Sequence, residues 1–357
     1  MLGERIHRAR KARGLSQQDL AELAGVSRMA ISKYESGRMA PSSPVLIAIS
    51  RATGVRVESF FRPTLVALEQ PQFRKRVSLS RKVQRQVEAD LLDQVERYLE
   101  VIDLYPEPPL APFRVPDGLP ARVEHLDAVE EVAEALRASW NLGGNAIRFL
   151  AELLEEKGLL VLTTEVPSGG RFDGLAAMVG SWPVVGVGGR QEWPGDRQRF
   201  TMAHELGHLV LAGRLAEGLD EEKACNRFAG AFLVPRGMVR QELGARRNRL
   251  EWRELHTLKH AYGASMGAWV FRAAQAGVID ETTRVSLFRE RSRRGWHQGE
   301  PGTPVRPEQP KLFERLVMHA HAEGMASTSK AAELLGMTVA AFRERLQFKG
   351  SDDAADH

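Results

Sequence analysis

Hydrophobic positions recur at intervals of three and four along most of this chain, the period of a helix with one buried face. They give way to short apolar runs at residues 159–164 and 184–187, which read as strands. Residues 2–13 form the first predicted helix, broken at Gly14. In SQQDLAELAGVSRMAISKYESG, Ser16 is placed to cap a second helix whose inward face is Leu20, Leu23 and Ala24. Gly25 turns the chain, Ser27 caps a third helix with Ile31 and Tyr34 facing the second, and Gly37 ends it. A fourth helix over 43–53, with Val55, Val57 and Phe60, closes a small core. Residues 1–65 therefore read as one all-α helix-turn-helix domain.

Residues 71–86, PQFRKRVSLSRKVQRQ, carry six basic residues and no acidic one. They lead into a helix on which Leu91, Val95, Tyr98, Ile102 and Tyr105 make one apolar stripe. The stripe suits either a partner helix, making the protein a homodimer, or packing onto the downstream domain of the same chain. Proline clusters at 106–120 and predicts a linker, so 71–120 forms a connecting unit. From 121 to 285 the pattern is α+β: helices near 126–138 and 145–157, the two strands with a glycine-bearing turn around Asp173 between them, then helices including 221–233, which Pro235 ends. A Gly/Pro-rich basic segment precedes a last helical piece, 312–348, in which SKAAELLGMTVAAFRERL looks faintly like another helix-turn-helix. Residues 286–357 are expected to be a linker and a small helical tail.

At 357 residues the chain exceeds one ordinary core, so two or three domains are expected. No apolar run approaches the roughly 20 residues of a membrane-spanning helix, and the charged start MLGERIHRAR lacks a secretory pattern. With the single cysteine Cys225, read as a small buried thiol, no intrachain disulfide is possible, and a cytoplasmic location without membrane contact is expected. The net charge of +4 is unevenly placed: residues 1–62 hold eleven Lys/Arg against five Asp/Glu, an excess of six, leaving about −2 for the remainder. The basic N-terminal domain points to phosphate-bearing partners.

The stretch FTMAHELGHLVL sets His204, Glu205 and His208 in an otherwise apolar helix. Residues four apart share a helical face, so both imidazoles can meet one cation, while Glu205 on an adjoining face can accept a proton from water held there. A catalytic zinc needs a third protein ligand, and LDEEKACNRFAGAFLVP supplies Glu221 and Glu222; helical spacing from Phe228, Ala229 and Phe232 favours Glu222.

The runs RQRFTMAHELGHLVL and EEKACNRFAGAFLVP resemble the ImmA/IrrE family of zinc-dependent metallo-endopeptidases, over roughly residues 140–280. The resemblance implies Zn2+ held by His204, His208 and Glu222, with Glu205 as the base in peptide hydrolysis. Ala212 and Gly188 depart from the family's frequent histidine and asparagine and bear on substrate contacts rather than on the metal. The strand at 184–187 is expected to pair with an extended substrate, and His256, His260 and Tyr262 are all chemically able to stabilise an oxyanion. The N-terminal pattern resembles the XRE (Cro/repressor-like) family, which implies that the helix from Ser27 enters the major groove of double-stranded DNA. Arg28, Met29, Ser32 and Lys33 would then meet base edges, and Gln17, Ser27 and Arg38 phosphates.

The expected architecture is multi-domain: an all-α helix-turn-helix N-terminal domain plus an α+β zincin-like metallopeptidase domain with a helical C-terminal part. The two resemblances together imply a DNA-binding regulator that cleaves a protein substrate in a stress response: a helix-turn-helix repressor, an antitoxin, or its own linker at 106–120 or 291–310. The alternative is a transcription factor whose peptidase-like domain only senses a metal or ligand.

Overall fold

The first four helices are α1 (Leu2–Ala12), α2 (Gln17–Ala24), α3 (Arg28–Glu35) and α4 (Ser43–Thr53), and serine side-chain caps start α2 and α3. The computed structural model describes residues 2–61, 69–75, 80–166, 172–189, 193–297 and 299–347. The expected boundary at residue 65 and the end of the last predicted helix at Phe348 lie outside these. The Ser16 hydroxyl accepts the Asp19 N–H at 3.1 Å, and the Asp19 carboxylate accepts the Ser16 N–H at 2.7 Å. This reciprocal cap starts α2, and Gly25, at φ 66°, ends it in a conformation that disfavours side chains. Ile6, Leu20, Ala21, Ile31, Ile49 and Phe60 fill the core between the helices. Leu23, expected inside, is 59% exposed: the phase of α2 turns Ala21 inward in its place.

Strand β1 (Glu69–Lys75) takes in residues 71–75, read from sequence as the start of a basic connecting unit. Next comes α5 (Arg81–Ile102), started by the Ser80 cap. Its apolar stripe is buried within the chain: Val87, Leu91, Val95, Tyr98 and Ile102 pack against the sheet and the C-terminal helices, so the seam considered for a partner helix is covered intramolecularly. On its other side Glu96 receives Arg5 at 2.7 Å and Arg8 at 3.0 Å, both from α1. Thus α5 joins the N-terminal helices to the rest.

The proline segment is irregular, as expected, yet packed: Leu119 is buried and the Phe113 N–H donates to the Gly158 carbonyl. After α6 (Val129–Ser139), the helix predicted from residue 145 begins only at α7 (Leu150–Glu156). The Gly143 and Asn145 carbonyls accept from the Arg137 guanidinium, and the Ile147 carbonyl from Arg199, instead of from helical N–H groups.

Strands β2 (Leu160–Thr164), β3 (Phe172–Val179) and β4 (Trp182–Gly188) combine with β1 in the order β1-β3-β4-β2. β3 and β4 are antiparallel, β2 and β4 parallel, and β1 runs antiparallel to β3. Asp173, read as a turn, lies in β3. β4 is flanked on both sides, so it has no edge to offer a substrate.

Below the sheet run α8 (Gly195–Leu211) and α9 (Glu221–Leu233), followed by α10 (Arg236–Leu243), α11 (Trp252–Tyr262), α12 (Met266–Gln275) and α13 (Glu281–Arg293). The segment at 291–310 is anchored rather than free. The Gly195 N–H donates to the Val305 carbonyl at 2.7 Å, Glu300 binds Lys259 at 3.0 Å, and Glu308 pairs with Arg199. The last helices are α14 (Leu312–Ala322), α15 (Thr328–Leu334) and α16 (Val339–Leu346). They are not a loose tail, because they complete the core over α5, with the Tyr105 hydroxyl donating to the Leu316 carbonyl at 2.8 Å and Arg97 to that of Leu334 at 3.1 Å. Among the described residues no helix is long and apolar enough to cross a membrane.

Candidate metal centre and DNA-facing helix

The two consecutive helices α8 and α9 cross closely because Gly207 sits at their contact. A Cβ there would lie 3.1 Å from a Phe228 ring carbon and 3.3 Å from the Cys225 Cα. Their approach carries Glu222 to the two histidines that the four-residue spacing stacks on α8. The Nε2 atoms of His204 and His208 are 3.1 Å apart, and the Glu222 carboxylate oxygens stand 3.4 Å from each. Ligands at 2.0–2.1 Å from a tetrahedral ion are separated by about 3.3 Å. The imidazole pair is close to that edge and the Glu222 carboxylate straddles both rings, Oε2 toward His204 and Oε1 toward His208, so two imidazoles and one carboxylate can converge on a zinc-type ion with a position left for water. His204 is fully buried, His208 nearly so, and Glu222 opens to solvent.

The far nitrogens are also held from α9. The Nδ1 of His204 lies 3.1 Å from Asn226 Oδ1, and that of His208 lies 2.9 Å from Glu221 Oε1. An Nδ1–H donating to these oxygens leaves each Nε2 with its lone pair for the cation. Glu221 and Glu222 thus take different stations, one behind an imidazole and one in front. His208, Glu221 and Cys225 form a second possible donor group, but it would use the outward nitrogen of His208 and omit the buried His204. Cys225 is fully buried.

Glu205 is also buried, on the side of α8 that faces the sheet. A Cβ on Gly174 would stand 2.4 Å from Thr201 Cγ2 and 3.4 Å from Glu205 Oε1, so only glycine lets β3 pass this close to the candidate base. One turn back along α8, Phe200 and Thr201 border a cavity of about 550 Å3 whose wall includes Leu233, Phe271 and Trp296. Gly188 has a local cause, since a side chain there would enter the Trp193 indole. Of the oxyanion candidates, Tyr262 donates its hydroxyl to Glu242 at 2.6 Å, and His256 packs against Gly302, burial lowering its basicity. His260 packs beside His256.

On α3 the side chains of Arg28, Met29, Ser32 and Lys33 are exposed on one surface, as is Arg38 beyond the helix. Gln17 departs from its expected role: its amide donates to Glu35 at 2.9 Å, where Arg10 and His7 also converge. Burial would raise the Glu35 pKa, but the hydrogen bonds from Arg10 and Gln17 outweigh it and hold the carboxyl below its ordinary value. Ser27 uses its oxygen to accept the Ala30 N–H, the cap that begins α3. Sequence reasoning passed over Asn226 and Glu221 as orienting groups; the signal available was their spacing from Glu222 and Cys225 along one helix.

Residues 6–60 match the Helix-turn-helix family model, and residues 192–274 match that of the IrrE N-terminal-like domain. Among relatives, the SPbeta prophage-derived uncharacterized HTH-type transcriptional regulator YonR of Bacillus subtilis (strain 168) is 34% identical over 64 residues, 18% of this chain and 59% of that protein. Endothelial differentiation-related factor 1 of Rattus norvegicus is 41% identical over 56 residues, 16% of this chain and 38% of its own, as is the Mus musculus protein. The chain thus spans about 40 to 60% of the length of these curated relatives. No solved structure matches. The chain therefore joins an XRE-type helix-turn-helix region to a metallopeptidase-type domain of the IrrE N-terminal-like kind.

Proposed function

We propose that the protein is a DNA-binding transcriptional regulator and a zinc-dependent endopeptidase, hydrolysing a peptide bond in a protein substrate such as a helix-turn-helix repressor, an antitoxin or itself. The observation that carries this reading is the convergence of His204, His208 and Glu222, with the two Nε2 atoms 3.1 Å apart and one Glu222 oxygen 3.4 Å from each, and with Glu205 buried on the adjoining face of α8. His204, His208 and Glu222 would hold the metal, while Asn226 and Glu221 fix the imidazole tautomers. When bound, the ion acts as a Lewis acid on the scissile carbonyl and lowers the pKa of water. Glu205 takes the proton of the attacking water and delivers it to the leaving amine, so its carboxylate ends unchanged. In the N-terminal region Arg28, Met29, Ser32 and Lys33 would face base edges, with Ser27 and Arg38 toward phosphates. Gln17, held by Glu35, would instead fix the α2–α3 geometry. A stress-linked cytoplasmic role follows from the pairing of a DNA reader with a protease that acts on such readers.

Glu205→Gln separates this from a domain that only senses a metal. The variant is expected to retain about one zinc per chain while losing cleavage of helix-turn-helix repressor substrates, followed by mass spectrometry of new termini. Equal cleavage by wild type and variant would remove the hydrolytic role of Glu205.

A further inference from the structure

An extended peptide reaching Glu205 by backbone pairing must add to β3, because β3 is the strand that runs beside the Glu205 carboxylate, a Cβ built on its Gly174 falling 3.4 Å from Glu205 Oε1. β3 has two edges. One is taken by β4, with Gly174 opposite Val187; the other is taken by β1, with Gly174 opposite Arg74 and Leu175 opposite Phe73. β1 is thus an extended segment of the chain's own sequence lying on the single edge beside the candidate base. We propose that residues 69–75 are an intramolecular pseudosubstrate strand that fills the peptide groove of this chain's own peptidase domain, so that a protein substrate enters only when β1 leaves. This rests on the endopeptidase reading above.

Three features suit β1 to leaving. Its register with β3 slips twice, between Glu69 and Gln72 and between Arg74 and Lys75, whereas β3 and β4 pair without interruption over six residues. Its sequence, EQPQFRK, is poor in strand formers and includes a proline, which strands tolerate only at an edge. It lies in sequence between the helix-turn-helix region and α5, which α1 grips through Glu96, so displacement of the N-terminal region would pull on the strand. The substrate class implied is an extended, basic peptide that adds antiparallel to β3.

The test opens the edge of β3 that β1 covers. In an antiparallel ladder neighbouring residues alternate in pointing their N–H groups at the partner strand. Replacing both Phe73 and Arg74 by proline therefore removes a β3-facing donor whichever residue carries it. A fluorescent peptide of sequence EQPQFRK is titrated into full-length zinc-loaded Glu205→Gln protein with and without the double proline change. Capture requires no hydrolysis. The double-proline protein is expected to bind the peptide roughly 10-fold or more tightly than its parent, as when a tethered competitor at millimolar effective concentration is removed. Hydrogen exchange of β3 amides in the unmodified chain gives a second readout needing no variant: amides facing β1 should be protected like those facing β4. Equal peptide binding by both proteins, or fast exchange along the β1-facing edge, overturns the proposal. Peptide capture without cleavage by the Glu205-containing double-proline protein would instead overturn the endopeptidase reading while leaving the occupied groove.

Discussion

Asn226→Ala tests whether α9 orients the candidate metal site or merely packs beside it. The Asn226 side-chain oxygen stands 3.1 Å from the Nδ1 of His204, an imidazole with no solvent exposure. Removing it leaves a buried ring N–H without this acceptor, a loss of about 1–3 kcal/mol in such surroundings. The ring is then free to rotate or to adopt the tautomer that protonates Nε2, and either must be reversed before a cation binds. Partners of this kind typically contribute 10–100-fold in metal affinity, or about 1.4–2.7 kcal/mol. Glu221→Gln should act on His208 through the same chemistry, but more weakly, because Glu221 is largely exposed and glutamine keeps an acceptor oxygen. Glu222→Ala, which deletes a donor of the triangle, should cost more than either. The assay is competition for zinc against a chromophoric chelator, with circular dichroism confirming the fold. The reasoning fails if Asn226→Ala holds zinc as tightly as wild type, or if Glu221 proves more costly to remove than Glu222.

Glu155 links α7 to the C-terminal helices, accepting the Lys311 and Leu312 N–H groups at the start of α14, both at 3.1 Å. Burial pushes its pKa up to about 7 from 4.5, so its favourable contribution is fully present below pH 4.5 and is lost as pH rises through 7. Relative to Glu155→Gln, wild type should lose about 3 kcal/mol between those limits, measured by denaturant unfolding at several pH values; a pH-independent difference would refute the burial argument. At α3, if it enters the major groove as proposed, Arg28→Ala should cost about 1–3 kcal/mol and relax sequence preference, and Lys33→Ala should also weaken binding, in gel-shift titrations against a selected operator. Gln17→Ala should act through loosened packing at Glu35, visible as a lower melting temperature rather than as a lower salt dependence.

Legibility in the sequence followed the range of the interaction. Ser16, Gly25 and Ser27 act on backbone groups within a few residues, so the boundaries of α2 and α3 were readable from composition and spacing alone. The same holds for His204 and His208, because the pitch of one helix already stacks residues four apart. Glu222 needed a second helix, and its convergence on them depends on the close crossing at Gly207, which spacing suggests but cannot fix. What tertiary structure alone decided is non-local. Arg137 and Arg199 drew off carbonyls that would otherwise have extended α7 toward residue 145. The stripe on α5 was satisfied by the sheet and by helices more than 200 residues later in the chain, which sequence periodicity cannot distinguish from a partner subunit. β1, with few residues that favour a strand, is extended because β3 offers it an unpaired row of hydrogen-bonding groups, a template that exists only once the sheet has formed.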